Sequence, residues 1–284
     1  MNLISIQSHV AYGHVGNSAA VFALQRLGCE VWPVHTLQFS NHTGYGTWKG
    51  EVFAAARISD VIDGIAELGV LGACDGVLSG YIGAVETGEA ILTAVGRVKA
   101  ANPNASYCCD PVIGNRARGE FVRPGVAEFM RERAVPAAQV VTPNHFELDR
   151  LAGRETCSLA AILSAVDRIH TRGPRAVLVT SVRSDATPAD SLDVIASDGS
   201  GRFLVRTPLL ATPANGAGDL IAALFFFHYL RGGSVADALA GATSSVFGLL
   251  RRTRDAGTSE TVLIAGQHEL VTPSETFALV KIGL

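Results

Sequence analysis

Short apolar runs recur along the chain at Leu3–Ile6, Val31–Leu37, Gly76–Leu78, Tyr107–Cys109, Val140–Thr142 and Ala176–Val179. Each is bounded by turn-forming residues, the pattern of strands buried on both faces. Amphipathic stretches lie between them: Ser18–Leu27, Asp60–Leu68, Glu86–Ala100, Val126–Arg133 and Leu159–Thr171. This alternation predicts βαβ units, hence an α/β fold with a central, mostly parallel sheet and helices on both faces. Gly28 after Leu27 reads as a helix C-cap, and Asn17 as the N-cap of the first helix. The rhythm then changes. Leu192–Ser197 and Phe203–Arg206 flank Asp198-Gly199-Ser200-Gly201, which predicts a hairpin, and two long helical patterns follow over 217–231 and 234–252. With no linker or repeat to break the rhythm, residues 1–284 are expected to form one domain.

The segment 39–50, FSNHTGYGTWKG, departs from both periods. Its Gly, Thr and aromatic content suits a surface loop equally well as a hairpin or flap over the carboxyl edge of the sheet. Open parallel sheets bind ligands at that edge, so a flap there would point to a ligand.

Composition narrows the class. The chain has 284 residues, 48% hydrophobic and 17% charged, with Lys+Arg 23 against Asp+Glu 26. A chain of this length supports a large core without staples. The small net charge of −3 gives no support to nucleic-acid binding. Five cysteines in no paired or zinc-type spacing suit a reduced, cytoplasmic compartment. The N-terminus MNLISIQSHV lacks the features of a signal peptide, and the longest apolar stretch, Leu220–Phe227, is too short to cross a bilayer.

Three places hold residues suited to chemistry. Asn215-Gly216-Ala217-Gly218-Asp219 opens the helix at 217. Glycines at a helix start let backbone N–H groups approach an anion, with the helix dipole adding partial positive charge. Asp219, in the first turn, is then placed to take a proton from an attacking hydroxyl; for the string taken alone, the reading that it only stabilises that turn is favoured. Gly13-His14-Val15-Gly16-Asn17-Ser18 resembles a phosphate loop but lacks the G-K-[ST] ending, and the only lysines are Lys49, Lys99 and Lys281. ATP chemistry would therefore fall to the Gly216–Gly218 site. Asp110 and Glu147 each follow a strand, so both carboxylates sit at the same sheet edge and could share a Mg²⁺. Alone, Asp110 reads as a turn residue before Pro111 and Glu147 as a first-turn stabiliser.

Taken together, the strings resemble the pyridoxal kinase family of the ribokinase superfamily. The matching segments are Ser5–Val10, Gly13–Ala20, Gln38–Tyr45, Leu78–Tyr81, Cys109–Val112, Thr142-Pro143-Asn144 with Glu147, and Gly216–Asp219, in family order. Gln38-Phe39-Ser40-Asn41-His42-Thr43 is the most family-specific; the glycine–Asp string belongs to the wider superfamily. The resemblance implies a ribokinase-like fold with a small flap over the active site, and ATP- and Mg²⁺-dependent phosphorylation of the 5′-hydroxyl of pyridoxal, with pyridoxine and pyridoxamine as further B6 vitamers. It implies Asp219 as general base and the backbone of Gly216, Ala217 and Gly218 as the anion hole. Ser8, Val15, Thr43, Gly44 and Tyr81, with Asp219, are implied for the vitamer site. Asp110, Thr142, Glu147, Thr180, Ser181, Thr207, Pro208, Leu209 and Leu210 are implied for ATP, with Asp110 and Glu147 toward the metal. It also implies a homodimer. Three positions depart from many relatives: Ala217 within the glycine string, Thr180 where some carry Lys, and Asn115 where some carry an acid. A kinase for another small alcohol, hydroxymethylpyrimidine above all, and a non-catalytic carrier of pyridoxal phosphate are the alternatives.

Overall fold

The computed structural model describes residues 1–211, 214–232 and 234–283. Its centre is a ten-stranded sheet. The strands are β1 (Asn2–Val10), β2 (Glu30–Phe39), β3 (Gly50–Val52), β4 (Gly76–Ser79), β5 (Ser106–Cys109), β8 (Val140–Val141), β9 (Ala176–Val182), β10 (Ser191–Asp198), β11 (Gly201–Pro208) and β12 (Leu279–Ile282). Their spatial order is β12-β11-β10-β9-β8-β5-β4-β1-β2-β3. The six from β9 to β2 run parallel; β10, β11, β12 and β3 add on antiparallel. A short hairpin of β6 (Gly114–Asn115) and β7 (Gly119–Glu120) stands apart.

Helices cover both faces: α1 (Asn17–Arg26), α2 (Ala55–Glu67), α3 (Val85–Ala101), α4 (Val126–Phe129), α5 (Val135–Ala137), α6 (His145–Ala152), α7 (Leu159–His170), α8 (Ala217–Leu230) and α9 (Val235–Asp255). The strand alternation sorts neighbours into two cores. Ile4, Ile6, Val77, Tyr107, Cys109, Val177 and Val179 face the layer of α2, α3 and α7. Leu3, Leu78, Cys108, Ala176 and Leu178 face the layer of α1, α8 and α9. The adjacent Cys108 and Cys109 thus point to opposite layers, both fully buried, and burial pushes the Cys109 thiol up to about 12. Helix α8 is apolar nearly all round because it is wedged among the sheet, α1 and α9; Phe225 and Phe226 are fully buried.

The βαβ rhythm, the hairpin at 198–201 and the Gly28 cap are all present, Gly28 at φ +81°. Asn17 is not the cap. Gly16 holds that position at φ +55°, and Asn17 begins α1 buried. Its Oδ1 accepts from Ser5 Oγ at 2.7 Å, and its Nδ2 donates to the carbonyls of Ser5 and Val34 at 3.2 and 3.1 Å. An Asn beside a strand core serves strand carbonyls as well as it serves a helix end, and here the carbonyls win.

Candidate active site

The parallel strands deliver their carboxyl ends to one edge, and the expected site residues gather there. Strand β1 pairs regularly with β2 up to Gln7↔His35, then slips a residue to Ser8↔Leu37. This bulge turns Ser8 toward a cavity. The loop after β2 carries the flap: Gln38↔Glu51 and Phe39↔Gly50 close a hairpin, and Thr43–Tyr45 form one 3₁₀ turn at its tip.

Two cavities meet under the flap. The larger, about 570 Å³, is lined by Ser8, Val10, Val15, Leu37, Phe39, Asn41, Thr43, Trp48, Val52, Tyr81 and Arg123. The smaller, about 260 Å³, is lined by Asp110, Gly114, Asn115, Thr142, Asn144, Glu147, Thr180 and the stretch from Ala214 to Gly218. His42, Val112, Arg118, Phe121, Gly216 and Asp219 line both. The first is walled by aromatic and aliphatic groups, the second by carboxylates, hydroxyls and backbone. A flat heteroaromatic ring suits the former, a polyphosphate the latter.

The junction is the start of α8. Gly216 is the N-cap at φ +84°, and a Cβ there would lie 1.7 Å from the carbonyl oxygen of His14. Only glycine fits, because the loop is pressed against the His14–Gly16 turn. The first N–H groups of α8 are left to face the cavity. Asp219 follows in the first turn, half-buried. Burial pushes its carboxyl up to about 6, against the opposing pull of nearby backbone N–H groups.

Two more acids stand behind. Asp110 is buried, accepts one bond, from Thr142 Oγ1 at 3.1 Å, and is pushed well up by burial and then by Glu147 and Asp219. Glu147 accepts from the N–H groups of Ile113 at 3.0 Å, Gly114 at 3.3 Å and Asn144 at 2.8 Å. It forms a capping box with Asn144, and burial pushes it up to about 7. Glu147 therefore does build a helix start, while also lining the cavity beside Asp110. Burial raises all three acids, and a hard cation among them would favour their ionised forms. Among the described residues no group of three or more His, Cys, Asp or Glu is arranged to hold a metal. Mg²⁺ needs only one or two carboxylates beside phosphate oxygens and waters, so this donor set fits it.

The expected residues do not all converge. Ser8, Val15, Thr43 and Tyr81 line the larger cavity, and Asp110, Thr142, Glu147, Thr180, Gly216, Ala217, Gly218 and Asp219 the smaller. Gly44 is exposed at the flap tip, its N–H donating to His42 Nδ1 at 3.3 Å, and lines neither. Ser181 follows Thr180 on β9, exposed, at φ +54°. Thr207 and Pro208 end β11, and Leu209 is 41% exposed beyond it; with Leu210, none lines either cavity. Conversely, Arg118, Phe121 and Arg123 enter from the β6–β7 hairpin, a segment with no assigned role in the sequence reading. Its signal was the turn itself, in which Asn115 Oδ1 accepts the N–H groups of Ala117 and Arg118 at 3.1 and 2.9 Å. His42 lies in the flap motif and lines both cavities; burial, then Arg118, lowers its pKa.

Comparison with known proteins shows the family and the fold. The model of the phosphomethylpyrimidine kinase family matches residues 75–271. A pyridoxal kinase PdxY of Rubrobacter xylanophilus is 55% identical over 284 residues, covering 100% of this chain and 98% of that protein. One from Corynebacterium diphtheriae is 49% identical, covering 100% of both. The solved pyridoxal kinase of Leishmania donovani in complex with ADP and pyridoxamine superposes with a TM-score of 0.92 at 27% identity, over 99% of each chain. The architecture is thus that of the ribokinase-like small-molecule kinases. Within that class, the chain belongs to the pyridoxal kinase family.

Proposed function

We propose that the chain catalyses ATP- and Mg²⁺-dependent transfer of a phosphoryl group to the 5′-hydroxyl of pyridoxal, with pyridoxine and pyridoxamine as further acceptors. The observation that carries this is the meeting of an apolar and a polar cavity at Asp219 and Gly216. The vitamer ring lies in the larger cavity, against Val15 and Tyr81, with Ser8 and Thr43 offering polar contacts. ATP lies in the smaller one, with Thr142 and Thr180 beside its phosphates. Ser181 and Pro208–Leu210, with the buried Thr207 behind them, would border the nucleotide outside the cavity, and Gly44 would approach the vitamer from the flap tip.

Asp219 then accepts the proton of the substrate hydroxyl as that oxygen bonds to the γ-phosphorus and the bond to the ADP oxygen breaks. A base titrating near 6 is ionised at neutral pH yet basic enough to take a proton. The N–H groups of Gly216, Ala217 and Gly218 face the charge on the transferring group. Because backbone supplies that charge, the Ala217 side chain is not required to take part. Asp110, with most acceptor capacity free, and Glu147 beside it would hold Mg²⁺, which supplies charge neutralisation on the phosphates.

The test is direct. Purified protein with Mg-ATP and pyridoxal is expected to form pyridoxal 5′-phosphate, read by its absorbance, and Asp219→Asn is expected to bind pyridoxal but form none. Binding without product in the unaltered protein would mean a carrier instead. The phosphomethylpyrimidine kinase match favours hydroxymethylpyrimidine as a second acceptor, which the same assay with a substrate panel resolves.

We further read residues 1–284 as one domain, since strands from both ends of the chain join one sheet, β1 near its middle and β12 at its edge. The five free cysteines suit a cytoplasmic setting. No helix among the described residues is long and apolar enough to cross a membrane. A homodimer is expected, and sedimentation would weigh it.

A further inference from the structure

Glu260 lies far along the chain from every site residue, in the segment after α9, yet its carboxylate touches three parts of the site. Its Oε1 accepts from Tyr45 Oη of the flap at 2.8 Å and from Asn215 Nδ2 at 2.9 Å. Its Oε2 accepts from the backbone N–H of His14 at 3.1 Å. All three donors come from parts of the chain far apart in sequence, so one side chain joins them.

The segment is held in place to do this. Residues Asn215 and Glu260 form a parallel bridge, Asn215 N–H donates to the Ser259 carbonyl at 3.0 Å, and Thr261 Oγ1 donates to the Asn215 carbonyl at 2.6 Å. A Cβ on Gly13 would fall 2.2 Å from Oε2, so the turn before His14 is glycine to admit the carboxylate. Each tether then leads to a working part. Asn215 precedes Gly216, the N-cap of α8. The turn that gives Glu260 the His14 N–H is also the one against which Gly216 is pressed, a Cβ there falling 1.7 Å from the His14 carbonyl oxygen. Tyr45 sits on the 3₁₀ turn that follows His42 and includes Thr43.

We propose that Glu260 is a positioning residue that ties the flap, through Tyr45, to the anion loop and to the His14–Gly16 turn on which that loop is pressed. The kinetic half of this rests on the vitamer kinase reading above; the structural half does not.

Amide hydrogen exchange on the unliganded protein tests the structural half, with Glu260→Ala, Glu260→Gln, Tyr45→Phe and the Tyr45/Glu260 double variant. Losing a hydrogen bond changes a local opening equilibrium by about fivefold to tenfold. Glu260→Ala is expected to speed exchange by that factor in the flap, in residues 13–18 and in residues 214–219 together. Tyr45→Phe is expected to speed the flap alone, and the double variant to exchange no faster there than Glu260→Ala. In Glu260→Gln the amide oxygen still serves Tyr45 and Asn215 while the His14 N–H loses its acceptor, so faster exchange is confined to residues 13–18. In turnover, Tyr45→Phe is expected to raise KM for pyridoxal severalfold with kcat kept, and Glu260→Ala to lower kcat about tenfold, with Gln recovering part of it.

Faster exchange confined to residues 258–261, or additive effects of Tyr45→Phe and Glu260→Ala on the flap, would overturn the proposal. If Glu260→Ala loosens the whole chain, Glu260→Gln and Tyr45→Phe decide by the same criteria. Unaltered protein that never phosphorylates pyridoxal overturns the kinase reading and leaves the exchange result standing; turnover with uncoupled exchange overturns the tether alone.

Discussion

Asp219 sits under two opposed demands. Buried, it resists ionisation; as a base, it must be ionised. Its value near 6 settles the contest just below neutral pH, and two consequences follow. The rate at limiting pyridoxal is expected to fall about tenfold for each unit of pH below 6, as the base becomes protonated. A pH profile flat between 5 and 8 would remove Asp219 from that role. The second consequence concerns stability. The ordinary value is 3.8, so between 3.8 and about 6 the folded chain holds more protons than the unfolded one. Stability then falls as pH rises through that window, and the cost is fully present above it. Asp219→Asn removes the cost and is expected to stabilise the fold at pH 7.5 by about 1–2 kcal/mol, read as a Tm higher by several degrees. The gain should vanish near pH 4. An inactive variant that melts later than its parent would mark Asp219 as held against its own preference; one that melts earlier would mean that the contacts of the ionised carboxylate outweigh its burial.

At the scale of elements, the start of α8 separates two kinds of glycine. Gly216 has φ +84° and no room for a Cβ, whereas a Cβ on Gly218 would meet no protein atom within 4 Å. Gly216→Ala is expected to lower stability by about 2 kcal/mol or more, through left-handed strain and the His14 clash, and to abolish turnover. Gly218→Ala is expected to melt like the unaltered protein yet raise KM for ATP, since its methyl would occupy space meant for phosphate. Thermal melts beside ATP titrations distinguish the two. The glycine–Asp string was legible because a helix start is a local event, and so were the strand–helix rhythm and the β10–β11 hairpin. What escaped depends on distant chain. Asn17 carries the signature of a cap, but its partners are carbonyls on β1 and β2. Strand β12 is four residues that form only because β11 offers an edge. Glu260 has no local mark at all: its donors lie at residues 14, 45 and 215. The roles implied for Ser181 and Thr207–Leu210 came by resemblance alone, and these residues lie outside the cavity walls.

For the whole molecule, the sheet determines the kinetic order. Its parallel strands bring the end of β1 and the flap to one side of α8, and the ends of β5, β8 and β9 to the other. The result is two cavities sharing a boundary at Gly216 and Asp219, rather than one pocket used in turn. A ring in one does not occupy the space of a triphosphate in the other, so both substrates can be bound together and the phosphoryl group can pass directly between them. Initial-rate lines against pyridoxal, drawn at several fixed ATP concentrations, are therefore expected to intersect. Calorimetry is expected to find nucleotide binding without pyridoxal and pyridoxal binding without nucleotide. Parallel lines would mean that the phosphoryl group rests on the protein between the two half-reactions. The acid at the shared boundary is Asp219, and parallel lines would then make its carboxylate a nucleophile rather than a base, with a phosphoprotein trapped by omitting pyridoxal. Intersecting lines with no such species leave proton removal as its part.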